Sequence, residues 1–138
     1  MIQPSSSDNV SEPAVVVGID WADRQHVVCV LDAVNRSEVR TLEQDPDAIA
    51  EWLDEVRQRF PGRLVIIALE QSRGALVHAL REVEGVQLYP INPKQLARYR
   101  EALDPSGRKD DPRDAELLAR FLLHHREQLR PWQPASPT

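Results

Sequence analysis

Between Leu64 and Leu69 six apolar residues, LVIIAL, run without interruption and end on Glu70. A strand with one wet face alternates apolar and polar side chains, so a short run without alternation describes a strand covered on both faces. Pro61-Gly62 stops whatever precedes it. Such a strand needs a paired strand on either side of it and helices above and below, which predicts an α/β architecture.

The neighbouring segments supply those parts. VVVGIDWA (15–22), HVVCVLDA (26–33) and SEVRTLEQ (37–44) are β-type runs separated by short turns, and predict an antiparallel meander. In DPDAIAEWLDEVRQRF (45–60), Asp45 can cap, Pro46 suits the first helical position, and Ile49, Trp52, Leu53, Val56 and Phe60 recur at helical spacing. Trp52 therefore reads as core. Gly74 to Val83 predicts a helix, VQLYPIN (86–92) a fifth strand, Pro93 to Leu103 a helix with Leu96, Tyr99 and Leu103 on one side, and Pro112 to Leu129 the last helix. The expected fold is a mixed five-stranded sheet flanked by helices over residues 14–130. Residues 1–13 and 131–138 are rich in Ser, Pro and polar residues and read as a disordered tail and a linker, with Trp132 as a docking contact for further sequence.

Composition narrows the function classes. No apolar run approaches the roughly 20 residues of a membrane span, and the first residues lack the basic start and apolar stretch of a signal peptide. A cytoplasmic protein without a membrane partner is expected. The one cysteine, Cys29, excludes an internal disulfide and reads as a buried thiol. Residues 1–93 carry 8 Lys+Arg against 15 Asp+Glu, a balance of −7, and residues 94–138 carry 9 against 7, or +2. A pI near 5.3 argues against nucleic-acid binding by bulk charge alone, but not against binding by a domain whose carboxylates hold cations.

Several acids resist a purely structural explanation. Val15, Val17, Ile19 and Trp21 share one face of the first strand, which leaves Asp20 on the other with Val16, Gly18 and Ala22. A covered carboxylate there must be paired, hydrogen-bonded or metal-bound; a solvated strand end or a turn acceptor is the simpler alternative. Glu70 closes the central run at its carboxyl end, where open α/β sheets place ligand chemistry, or else is an ordinary solvated terminus. Ser72 reads as a helix cap. Asp111 before Pro112 is a good N-cap, and Asp114 suits the positive end of the helix dipole. Asp114 also continues into the apolar stripe Leu118, Phe121 and Leu122, so it should point inward. Brought together, Asp20, Glu70, Asp111 and Asp114 would repel one another without cations, which points to hard divalent ions, Mg2+ first and Mn2+ as a substitute. Two such ions about 4 Å apart serve phosphoryl transfer in nucleases and polymerases.

GIDWADRQH, LEQSRG and INPKQLARYREALDPSGRKDDPRDAELLARF together resemble the N-terminal RuvC-like domain of DEDD transposases of the insertion-sequence 110 family. The likeness runs from about Val15 to about Leu129. Its most specific part is Lys109, Asp111, Asp114 and Ala115, with Asn92-Pro93 upstream. The resemblance implies an RNase H-like fold with Asp20, Glu70, Asp111 and Asp114 as catalytic and metal-binding tetrad. It also implies an enzyme that cuts and rejoins DNA for transposition, guided by a structured RNA, homo-oligomeric at full length, and completed by a C-terminal domain with a nucleophilic serine that this chain lacks. Asp23 and Asp110 fall outside the pattern.

Lys94, Arg98, Arg108, Lys109 and Arg113 are the candidate nucleic-acid contacts, with Arg100 near them. A solvated helix face is the alternative. His124 and His125 have no second ligand at metal spacing and read as exposed or partly packed. Two rival functions follow. A sugar-kinase or actin-like half is disfavoured, because Trp21-Ala22-Asp23-Arg24 lacks the small residues that cradle phosphates. A non-catalytic RNA-binding or subunit-assembly module would use the helices of residues 93–129.

Overall fold

The computed structural model describes residues 14–21, 25–31, 36–43, 45–70, 80, 83, 85–103 and 111–132. Valine and isoleucine, whose branched Cβ suits a pleated surface, dominate β1 (Val15–Asp20) and β4 (Val65–Glu70), both buried until their final acid. β2 (Gln25–Leu31) and β3 (Ser37–Glu43) complete the meander, and β5 (Val86–Ile91) follows β4. The sheet order is β3-β2-β1-β4-β5. β2 is antiparallel to both β1 and β3, whereas β1–β4 and β4–β5 are parallel. The mixed sheet read from the sequence is the one observed.

Helix α1 (Pro46–Arg59) starts as its sequence predicts, with the Asp45 side chain accepting from the Asp47 N–H at 3.0 Å and Pro46 in the first turn. It sets Ile49, Trp52, Leu53 and Val56 against Val15, Val17, Ile19, Ile67 and Leu69 on one face of the sheet. Ion pairs from Arg40 to Glu55 and from Arg59 to Glu38 link its outer side to edge strand β3. The other face is covered by α2 (Pro93–Leu103) and α3 (Asp111–His125), which pack Leu96, Ala115, Leu118, Ala119 and Leu122 on Val16, Cys29, Ile66, Ala68 and Ile91. Burial and the nearby Glu116 carboxylate push the Cys29 thiol up to about 12, so it stays protonated and unreactive as expected.

Helix α3 lies unusually close to β1. A Cβ added at Gly18 would collide with the Ala115 carbonyl oxygen and come within 2.7 Å of the Ala119 amide nitrogen. Both obstacles are backbone, so only glycine permits this approach.

Three sequence expectations change. The last α-helix ends at His125 and tightens into a 3-10 turn over Arg126–Gln128. Leu103 is 57% exposed rather than part of the inner stripe of α2. Trp132 packs on the α1-side core, and its backbone N–H donates to the Leu88 carbonyl at 2.6 Å, so its partner is this domain's own sheet. Most of the helix expected at residues 74–83, and Ser72, lie outside the described residues.

Candidate active site

The register of the parallel pair β1–β4 runs from Val15 opposite Val65 to Gly18 opposite Ala68. Two residues further along each strand stand Asp20 and Glu70, at equal height and on the same face. Neighbouring strands lie about 4.8 Å apart, so the topology makes these acids neighbours although 50 positions separate them in sequence. Both are half-buried, at the carboxyl ends of adjacent parallel strands.

Their face is the one that α3 covers. Gly18, two residues before Asp20, sits under Ala115, the residue after Asp114. The contact that requires glycine therefore draws the first turn of α3 toward the end of β1. Asp114 is 6% exposed and points inward, as the stripe it continues predicts. Asp111 opens α3 one turn earlier; its side chain, like that of Arg113, lies outside the described residues, as do Arg108, Lys109, Asp23 and Asp110 entirely.

Asp114 does not stand among acids alone. The Arg100 Nη2 donates to Asp114 Oδ1 at 2.8 Å, with side-chain exposures of 17% and 9%. Among the described residues no three His, Cys, Asp or Glu side chains close into a metal-holding group. Asp20 and Glu70 stand at the ends of adjacent strands, and Asp114, on the helix that covers their face, is turned to a guanidinium. Oxygen donors without thiolate or imidazole are nonetheless the set that suits a hard divalent cation.

Lys94 and Arg98 are exposed on α2, whose start is fixed by the Lys94 N–H donating to Asn92 Oδ1 at 2.8 Å. Arg98 borders a cavity of about 310 Å3 between α2 and α3, with Tyr99, Phe121 and His125 among its walls. Burial raises the Tyr99 phenol, whose oxygen lies 2.9 Å from His124 Nδ1. His124 is exposed and His125 half-buried, which agrees with the sequence expectation.

Sequence reasoning missed two residues. Arg100 read as a phosphate contact or a solvated cation, yet it lies four residues after the buried Leu96 and so on the same helix face; that spacing was the available signal. His26 is wholly buried and stacks on Trp21, ring centroids 3.6 Å apart at 12°. It precedes Val27, the partner of Asp20 across β1–β2, and so braces the strand end that carries the acid. Burial lowers its pKa below 6.5, which keeps the imidazole neutral at pH 7.

A mixed sheet in this order with helices on both faces defines an RNase H-like domain. The solved RuvC structure from Thermus thermophilus has the same fold: the two superpose with a TM-score of 0.59 over 86% of this chain and 99% of that one, at 18% identity. The profile of the DEDD transposases of insertion sequence 110 matches residues 17–138, and the chain belongs to that family. It is 35% identical over 109 residues to "Putative transposase y4uE" of Sinorhizobium fredii, covering 76% of this chain and 30% of that protein. It is 34% identical over 125 residues to "Mini-circle putative transposase for IS117" of Streptomyces coelicolor, covering 85% and 29%. The chain thus spans under a third of the length of these relatives. No described helix is long and apolar enough to cross a membrane.

Proposed function

We propose that residues 14–130 form the metal-dependent catalytic domain of a DNA transposase or recombinase, which cuts and rejoins DNA to move a mobile element. What supports this reading is the register of β1 on β4, which carries Asp20 and Glu70 to the ends of adjacent parallel strands on the face over which Gly18 admits the Asp114 end of α3. Asp20 and Glu70 are held by rigid strands, and Asp111 and Asp114 by the start of one helix, where the dipole favours their negative charge. These four residues would hold two divalent cations, Mg2+ or Mn2+. When bound, such ions activate an attacking oxygen and stabilise a leaving one in phosphoryl transfer.

The chain's own residues bind and orient. Lys94 and Arg98 on α2, with Arg108, Lys109 and Arg113 before and within the first turn of α3, contact the phosphate backbone and set its position over the acids. Two bound divalent ions move the formal charge from −5 to about −1, which relieves repulsion of the backbone. A structured guide RNA, a homo-oligomer and a serine-bearing C-terminal domain would complete the reaction.

Calorimetric titration with Mg2+ or Mn2+ tests this reading. Binding is expected in the native chain and is abolished by Asp20→Asn with Asp114→Asn, while the circular dichroism of the fold is retained. Binding that survives in the double variant overturns the assignment and favours the non-catalytic RNA-binding or assembly module.

A further inference from the structure

A carboxylate as buried as that of Asp114 must be neutralised or paired, because water is no longer there to solvate it. Arg100 supplies the pairing, but with an incomplete grip. Only Nη2 engages Asp114 Oδ1, at 2.8 Å, whereas Arg100 Nε is buried with no acceptor among the described residues. A guanidinium placed for strength presents two parallel N–H groups to both oxygens of a carboxylate. Here one nitrogen of the fork is used and a buried donor is left over, the geometry of a contact that can be given up.

We propose that Arg100 is a built-in counter-cation, which neutralises Asp114 while no divalent ion is bound and yields it when one arrives. The inference rests on Asp114 being a cation ligand as proposed above, and it makes Arg100 a positioning residue acting through Asp114. It explains why helix α2 carries an arginine one turn after Leu96, where an apolar residue would otherwise extend the packed stripe. Cation loading then requires the guanidinium to leave, so Arg100 sets a threshold on divalent-ion affinity. It links that affinity to the position of α2, the helix that bears Lys94 and Arg98.

Removing a full positive charge within a few ångströms of the cation should strengthen divalent binding by at least about tenfold, even with the strong screening effective in proteins. In the 138-residue chain, Arg100→Gln is therefore expected to melt earlier than the native chain without divalent ions. It is also expected to bind Mn2+ at least about tenfold more tightly in calorimetry. Arg100→Lys, which keeps the charge, should stay near the native affinity. A purely structural arginine would lower stability and leave affinity unchanged or weaker, and either result overturns the proposal. Should Arg100→Gln fail to fold, the native chain supplies the measurement: the Arg100 Nε–Hε signal should shift, and its hydrogen exchange with water accelerate, on saturation with Mg2+. A signal that stays in place at saturation overturns the proposal. Native chain that binds no divalent ion by any readout overturns the metal reading and this inference together, whereas normal binding with unaltered affinity in Arg100→Gln overturns this inference alone.

Discussion

The two faces of the sheet are packed to similar depth by different means. Against α1 the buried contacts are aliphatic and aromatic, with His26 the buried polar residue at the margin, and the charges of Arg40, Glu55, Arg59 and Glu38 stay outside. Against α2 and α3 the same kind of core encloses an ionised pair, Arg100 with Asp114, and a backbone-to-backbone contact at Gly18. Apolar burial is non-directional and tolerates small shifts, whereas a buried ion pair and a helix resting on a glycine demand particular geometry. One face carries stability and the other carries position.

That division can be broken by experiment. The largest effect is expected from Trp52→Ala, which empties a large site under α1 and should cost about 3–5 kcal/mol in urea unfolding. Divalent-ion affinity of the protein that remains folded should not change; a parallel loss of affinity would show that the faces are coupled. Gly18→Ala is expected to cost less, about 1–3 kcal/mol, because α3 must lift to admit one methyl group. It should nonetheless weaken Mn2+ binding, since the same contact brings Asp114 toward Asp20. Destabilisation with unaltered Mn2+ affinity would detach the glycine from the site.

A smaller effect tests His26. Its pKa in the folded chain lies below the ordinary 6.5 because of burial, so at pH values between the two the unfolded chain binds a proton that the folded chain refuses. Stability should fall as pH drops through about 6.5 and level off below the folded value. Thermal melts between about pH 5 and 7.5 should show this slope in the native chain and less of it in His26→Phe, which keeps a stacking ring. Equal slopes would place the titration elsewhere.

Much of this was legible in the sequence. LVIIAL without alternation identifies the central strand, the Asp45-Pro46 start identifies α1, and the alternation in β1 separates Asp20 from Ile19 and Trp21. These signals are local, and burial enforces them. What stayed hidden depends on contacts between distant elements. Arg100 sits 14 positions from Asp114, and its charge disguised an inward-facing position, while Leu103, apolar and at helical spacing, proved exposed. His26 stood at the head of an apolar run with nothing to announce its stack on Trp21. The Gly18 contact needs the path of α3, which no spacing within β1 reveals.

The hydrogen bond from Trp132 to Leu88 has a consequence for solubility. A parallel-sheet margin offers unpaired backbone groups to any passing extended chain, and β5 would be such an invitation. The returning segment claims an acceptor there and lays an indole over the adjoining core, while the opposite margin, β3, answers with Glu38, Arg40 and Glu43. Each border thus carries a feature that discourages strand-by-strand addition of a further chain.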